Sequence, residues 1–321
     1  MHSTGKSSTT LLAFLALSLV WGASFLFIKV GLEGLSPAQV VLGRILLGAL
    51  ALAVIMLVTR RRWPREPRVW GHMIVVGIFF CALPFTLFAW AEQYVPSSLA
   101  SIYNATTPIM TLLLTPLVLR SERLGRARIL GLFVGIVGVV VLSGPWQLIG
   151  AADLSTTLPA QLACLGATVS YGFAGLYLRR FVSGLPYDSI TLSSVQLAMA
   201  AAVVLVMAPF TARGPVTLSL PVVLSIVALG VLGTGVAYIW FTRVIRAWGP
   251  VRASTVTYLT PVVGVVLGVL VLGEGVQWYE PIGGAIVVLG ILVSQGVVLR
   301  RRPVPEVQDV AGETASSTVR A

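Results

Sequence analysis

The sequence predicts an all-α integral membrane protein with ten transmembrane helices, arranged as two inverted repeats of five helices. Three observations support this prediction: the composition, the number of long apolar runs, and the alternation of basic residues between them. Hydrophobic residues make up 57% of the 321 residues and charged residues only 10%, whereas soluble domains average roughly 25% charged residues. Such a chain has too few charges to cover a water-exposed surface, so the predicted class is a polytopic membrane protein.

Ten apolar runs are long enough to be spans, because a helix needs ~20 residues to cross a ~30 Å hydrocarbon core. The first run continues to Val30 and is therefore an uncleaved span rather than a signal peptide. Charges between Arg120 and Arg128 separate the fourth run from the fifth, since each costs about 2.5–3.5 kcal/mol at the bilayer centre. The predicted spans are 11–31, 38–58, 70–91, 97–118, 127–144, 160–179, 189–209, 221–242, 252–271 and 279–299.

The basic residues lie in alternate loops. They precede the first span and follow the second, fourth, sixth, eighth and tenth spans, whereas the loops on the other side carry only Arg213. By the positive-inside rule, both termini of this multi-pass cell-membrane protein are predicted to be cytoplasmic. Residues 1–10 are then a cytoplasmic N-terminus, 145–159 a periplasmic (external) linker, and 300–321 a disordered cytoplasmic tail without apolar periodicity.

The two halves of the chain resemble each other, with repeat 1 at 11–144 and repeat 2 at 160–299. The matched positions are Trp21-Gly22 with Tyr171-Gly172, Arg44 with Gln196, Pro108 with Pro261, and Glu122, Gly131 and Gly138 with Glu274, Gly283 and Gly290. Five is an odd number, so the second copy enters the membrane from the opposite side, which is typical of transporters. The alternative is a duplication without a transport role.

Several short motifs carry a family resemblance over roughly 11–299. They are Leu19 to Phe25, Arg44, Asn104 to Pro108, Glu122 to Leu124, Thr260-Pro261, Gly273-Glu274 and Gly283-Gly284. In their order and spacing they resemble the EamA-type branch of the drug/metabolite transporter superfamily. Ser121 before Glu122, and Gly275-Val276 after Glu274, depart from the usual pattern. The resemblance implies movement of small metabolites, such as amino acids or drug-like compounds, through a central cavity between the two five-helix bundles.

Polar residues inside the first, second and fourth spans are candidate substrate-binding residues. Ser24, Arg44 and Asn104 are predicted at one depth, roughly 10 Å from the outer surface at a rise of about 1.5 Å per residue. A guanidinium at this depth faces the protein interior or a wet cavity. Arg44 is either an anchor for a carboxylate or phosphate, or a structural arginine bound to backbone carbonyls near a kink.

Two prolines predict helix kinks, Pro108 in repeat 1 and Pro261 in repeat 2. Pro108 frees the carbonyl of Asn104, and the hydroxyls of Thr106 and Thr107 are placed to satisfy it locally. The region is thus either a threonine-buffered kink or a polar notch in a cavity wall.

Repeat 2 adds Gln196 and Tyr258 as mirrored binding candidates near the inner face. A single aromatic residue such as Tyr258 is more often a packing or interface residue. A packing role therefore stays open for Tyr258 beside the binding role.

The positions of the acidic residues predict structural roles rather than a proton relay. Lys29 and Glu33 are spaced to form a surface pair, and Glu122 and Glu274 are placed as helix-end caps. Every acid falls at a span end or in a loop, so no buried acid relay is visible. Glu92 or the solute itself remains a route for proton coupling.

The sequence contains no residue pattern that indicates an enzyme. The histidines are His2 and His72, the spans hold no pair of aspartates, and no GxxxxGK[ST] loop is present. Metal ligands are lacking and no cofactor is implied. The net charge of +11 follows membrane topology rather than nucleic-acid binding.

The expected partners are the lipid bilayer and a small-molecule solute. The predicted function is a secondary transporter, as an exporter, that works by alternating access. The alternatives are an uncoupled facilitator or a channel-like permease. A membrane scaffold or an intramembrane enzyme would account for fewer of these features.

Overall fold

The computed structural model describes residues 4–119, 125–144, 154–248 and 256–295, and within these ranges the chain forms helices and no strands. The ten helices are α1 (Thr4–Gly31), α2 (Pro37–Val58), α3 (Pro67–Ala91), α4 (two halves, α4a Ser97–Asn104 and α4b Thr107–Val118), α5 (Arg126–Ser143), α6 (Leu154–Tyr177, continued by Leu178–Val182), α7 (Ser189–Thr211), α8 (Leu220–Val227, Ala228–Val236 and Ala237–Trp248), α9 (Val256–Leu272) and α10 (Tyr279–Ser294).

Each predicted span corresponds to one of these helices, so the all-helical membrane fold is confirmed. Six of the helices are individually long and apolar enough to cross a membrane, and α9 and α10 are shorter apolar helices. Most of the predicted linker, the loop around Glu122 and the predicted tail at 300–321 lie outside the described residues.

Local sequence signals explain where several helices begin. Ser36 and Gln39 form a reciprocal capping box before α2, whose first residue is Pro37. Asp188 accepts hydrogen bonds from the first backbone N–H groups of α7, and Ser219 does the same for α8. These side chains satisfy donors that have no partner within their helix.

The two repeats interleave rather than forming separate bundles. Helix α1 packs against α8 and α9, and its counterpart α6 packs against α3 and α4. Likewise α2 contacts α8 while α7 contacts α3, and the pairs α2–α7, α4–α9 and α5–α10 each contact their own counterpart. This exchange of contacts between equivalent helices is what a two-fold relation between the repeats requires.

Glycines permit the close helix crossings. A side chain at Gly22 would come within 2.5 Å of Val263, and one at Gly172 within 2.9 Å of the backbone nitrogen of Thr111. A Cβ atom on Gly131 would lie 2.4 Å from the carbonyl oxygen of Gly290. Gly131 and Gly290 therefore lie where α5 meets its equivalent helix α10, whereas Gly22 and Gly172 lie at the corresponding α1–α9 and α6–α4 crossings.

Among the described residues, each repeat has a π-helical segment in the middle of a span, and Leu178–Val182 at the end of α6 is a third. Ile78–Ala82 interrupts α3, and Ala228–Val236 interrupts α8 at the equivalent position. Within the second segment, Thr234 donates its hydroxyl to the carbonyl of Leu229, five residues earlier. Such segments are frequent at functional sites, and the two mid-span segments border the cavity described below.

The bundle has two distinct ends. At the basic end, the loop after α2 meets the loop before α7 through an Arg61–Asp188 ion pair and a Tyr187–Glu66 hydrogen bond. At the other end of the bundle, here called the opposite end, Thr217 donates its backbone N–H to the carbonyl of Gly34. These contacts place the loops on the same side of the bundle as their predicted topology requires.

Candidate functional site

A cavity of about 340 Å³, here called the central cavity, lies between helices of both repeats. Its wall is mainly aromatic, with hydroxyl groups between the rings. The aromatic residues are Trp21, Phe25, Phe80, Phe85, Phe88, Tyr171 and Tyr238, and the hydroxyl residues are Ser24, Thr107, Thr111, Thr234, Thr257 and Thr260. Among the described lining residues, Arg44 is the one charged side chain.

Arg44 lies in the first turns of α2 and is only 8% exposed. Its guanidinium carbon is 3.7 Å from the centroid of the Phe85 ring, and its Nε donates to the hydroxyl of Thr234 at 3.5 Å. In the described part of the chain it makes no hydrogen bond to a backbone carbonyl. The ring of Phe85 and the hydroxyl of Thr234 contact this guanidinium, so most of its N–H donors stay available to the cavity.

Ser24 and Asn104 lie in the wall of the same cavity as Arg44. The hydroxyl of Ser24 donates to the carbonyl of Val20. Asn104 ends α4a, and its carbonyl accepts a hydrogen bond from the hydroxyl of Thr107 at 2.8 Å. The structure thus combines the two interpretations of this region, since Thr107 buffers the freed carbonyl while Asn104 lines the cavity.

The two proline sites differ. Helix α4 is broken just before Pro108, whereas α9 runs without interruption from Val256 to Leu272 through Pro261. The hydroxyl of Thr260 donates to the carbonyl of Val256 in this helix. Only the first repeat therefore has a helix break at the proline.

The remaining two candidates lie away from the central cavity. Gln196 is 5% exposed and stands behind the wall, where its amide contacts Tyr238 at 3.4 Å and the sulfur of Cys81 at 3.2 Å. Tyr258 accepts a hydrogen bond from Gln295 at 2.8 Å and lines a different cavity. The structure does not bring these two side chains to Ser24, Arg44 and Asn104.

The second cavity, of about 490 Å³, adjoins the central cavity. The two cavities share Thr107, Thr111 and Thr257 in their walls. Exposed Arg128 and Arg179 border the second cavity, so it opens at the basic end. A hydrophilic route therefore leads from that end to the region of Arg44.

Most of the aromatic residues in the wall of the central cavity could not be predicted from the sequence. Phe80, Phe85 and Phe88 look like ordinary apolar span residues, and nothing in their spacing separates a cavity-facing ring from a lipid-facing one. Thr234 had a weaker signal, because it lies among the glycines of a span, where backbone irregularity is expected.

A ten-helix membrane bundle built from two related repeats, with a solute-sized cavity between them, defines the class of membrane transporters. The chain belongs to the EamA-like transporter family, whose model matches residues 8–144 and 158–295. The family assignment made from the sequence is thereby confirmed.

Three relatives match along most of their length. The uncharacterized inner membrane transporter YedA of Escherichia coli (strain K12) is 29% identical over 310 residues, which is 94% of this chain and 96% of that protein. The uncharacterized transporter YdfC of Bacillus subtilis (strain 168) is 26% identical, covering 85% and 86%. The "Probable terminal-alkyne amino-acid exporter" of Streptantibioticus cattleyicolor is 26% identical, covering 92% and 97%.

The fold also matches a solved structure. A crystal structure superposes with a TM-score of 0.62 at 22% identity, over 90% of this chain and 99% of that chain. The similarity extends over both repeats. The relatives are named as transporters, so the protein is a membrane transporter rather than an enzyme.

Proposed function

We propose that the protein exports small amphipathic solutes that carry a carboxylate, such as apolar amino acids, by alternating access through the central cavity. The observation that carries this proposal is Arg44, a buried and unneutralised guanidinium in a wall otherwise built from rings and hydroxyls. Arginine binds a carboxylate through two parallel hydrogen bonds. The rings would hold the apolar body of the solute.

The size and lining of the cavity limit the solute further. A volume of about 340 Å³ is near the lower end of the 300–1,000 Å³ found for small-molecule sites. The amide of Asn104 and the hydroxyls of Thr257 and Thr260 offer acceptors for an ammonium group. The faces of Trp21 and Tyr171 attract a cation as well.

The position of the second cavity supports uptake of the solute from the cytoplasm, the first step of export. The second cavity opens at the basic end, which the positive-inside rule assigns to the cytoplasm along with both termini. A cytoplasmic solute would enter there and pass the three shared threonines to reach Arg44. A reporter that is active only in the cytoplasm should work when fused after Arg302, and activity of a periplasm-only reporter at that position would reverse the direction.

A thermal-shift screen of the purified protein tests the solute class, because a ligand that binds the folded state raises its stability. Apolar amino acids should stabilise the protein more than nucleosides or cationic drugs. Radiolabelled L-leucine should then exchange across proteoliposomes in a counterflow assay. Stabilisation by cationic compounds alone would contradict the anionic anchor.

Variants at Arg44 test the anchor itself. Arg44→Ala should reduce L-leucine counterflow at least tenfold, and Arg44→Lys should recover part of it, because lysine keeps the charge but not the fork geometry. Asn104→Leu should weaken transport less. The matched control is Arg213→Ala, since Arg213 is exposed at the opposite end. Full counterflow in a folded Arg44→Ala protein would rule out the anchor role.

A further inference from the structure

Glu92 follows the last residue of α3 and is completely buried, with 0% exposure. Neither of its carboxylate oxygens has a hydrogen-bond partner among the described residues. The hydroxyls of Ser97 and Ser98, at the start of α4a, are buried without partners too. An unpartnered carboxyl group in such a place is rare, because buried polar groups are normally hydrogen-bonded.

The charged and titratable groups around Glu92 are already engaged or distant. Lys29 of α1 donates to the backbone carbonyls of Glu92 and Val95, which replaces the predicted surface pair with Glu33. Glu274, after α9, accepts from the backbone N–H groups of Ser97 and Ser98. Arg44 of α2 acts on Glu92 only through its electrostatic field, and Cys164 of α6 lies in the field of Glu92.

This environment favours the neutral form of Glu92. An ionised carboxylate that is buried without hydrogen bonds carries a large desolvation cost. The nearby carboxylate of Glu274 adds repulsion, while Lys29 offsets part of it. Protonation of Glu92 removes both the desolvation cost and the repulsion from Glu274. The opposite end of the bundle can therefore close around the protonated residue.

Glu92 also stands at the boundary between the central cavity and the opposite end of the bundle. Phe88, one helical turn earlier on α3, lines the cavity, and so does Ile28, which precedes Lys29. Opening of the opposite end would separate these layers and bring external water to Glu92. Opening of the basic end would instead leave the central cavity as the route between Glu92 and cytoplasmic water.

We propose that Glu92 binds the proton whose inward movement drives solute export. This inference rests on the proposed transport function. With the opposite end open, a carboxylate oxygen of Glu92 takes a proton from external water, and that end closes. With the basic end open, the O–H bond breaks and the proton passes through the cavity to cytoplasmic water. Loss of the proton restores a carboxylate that favours reopening to the outside.

Infrared spectroscopy tests proton binding without any solute. Wild-type protein in a detergent that contains no carbonyl group should show the C=O stretch of a protonated carboxyl group at neutral pH. This band should be absent from Glu92→Gln and present in the control Glu33→Gln, which changes an exposed acid at the same end. An unchanged band in Glu92→Gln would overturn the proposal.

Transport assays then separate coupling from solute binding. L-leucine counterflow without a pH gradient requires no net proton movement, so in the wild type it tests solute transport apart from coupling. Accumulation of L-leucine driven by a pH gradient should fall at least tenfold in Glu92→Gln and stay normal in Glu33→Gln. Failure of counterflow in the wild type would count against the proposed function and leave the infrared result to decide on Glu92.

Three outcomes would overturn the role of Glu92 in coupling. The first is pH-driven accumulation that persists in Glu92→Gln. The second is a lower midpoint of thermal unfolding in Glu92→Gln than in the wild type, which would indicate a purely structural carboxyl group. The third is accumulation driven by a Na⁺ gradient at uniform pH, since the free hydroxyls of Ser97 and Ser98 would then serve a metal cation.

Discussion

The two ends of the helical bundle are held together in different ways. At the opposite end, the carboxylate of Glu274 accepts hydrogen bonds of 2.7 Å and 2.9 Å from the backbone N–H groups of Ser97 and Ser98, two residues with 0% exposure. At the basic end, an ion pair joins Arg61 to Asp188, whose side chains are 25% and 35% exposed.

Burial, rather than the number of charges, determines which end is harder to open. The basic end carries most of the charges, yet an exposed ion pair contributes only about 0–1 kcal/mol. A charged side chain that serves buried backbone groups is worth more, because each donor left without a partner costs about 1–3 kcal/mol. The second cavity, which opens at the basic end, is consistent with this end being the easier one to open.

The largest expected effect is that of Glu274→Ala, which leaves two buried N–H groups at the start of α4a without an acceptor. We expect a loss of about 2–6 kcal/mol in stability and a lower midpoint of thermal unfolding in detergent. The control is Glu33→Ala, at an exposed position of the same end. Equal losses in the two variants would remove the distinction between the ends.

Gly268→Ala provides a milder test of the same contact. A Cβ atom at this position would lie 2.4 Å from a carboxylate oxygen of Glu274 and 3.2 Å from the Cβ of Ser98. The carboxylate would have to shift, at a cost of about 1–3 kcal/mol for overpacking. Gly275→Ala is the matched control, since it has nothing within 4 Å, and its unfolding midpoint should stay unchanged.

Arg61→Gln should have a small effect on stability, below about 1 kcal/mol, because the Arg61–Asp188 pair is partly exposed. Arg61→Gln should also let the basic end open more readily to the cytoplasm, since a contact that holds this end is weakened. Alkylation of a cysteine introduced at Thr111, shared by both cavities, measures this opening. Unchanged alkylation would show that the ion pair does not hold the basic end.

The smallest effect concerns pH. Burial raises the pKa of Asp188, but hydrogen bonds from Thr191 and Ile190 and the charge of Arg61 outweigh it, so that the pKa is lowered overall. The stabilisation is therefore present above the unfolded value of about 3.9 and is lost as the pH falls through the lower folded value. Between pH 6 and pH 3, Arg61→Gln should lose slightly less stability than the wild type, and an identical loss would exclude the ion pair as a cause.

The binding candidates show how far sequence patterns reach towards a site. Ser24, Arg44 and Asn104 were predicted together because helical rise converts position along a span into depth, and they line one cavity. Gln196 and Tyr258 were predicted as their mirrored counterparts in the second repeat, yet they lie behind the wall and in the second cavity. Depth follows from the sequence, whereas the direction in which a side chain points depends on the neighbouring helices.

The membrane class, the ten spans and the internal repeat follow from the sequence alone, because each of these depends on composition or on spacing along the chain. Tertiary structure decided the rest. It broke α4 but not α9, although each contains a proline. It also directed Glu274 to cap a helix 176 residues away, and it buried Glu92. These features arise from contacts between distant segments, and no local transfer free energy or periodicity contains that information.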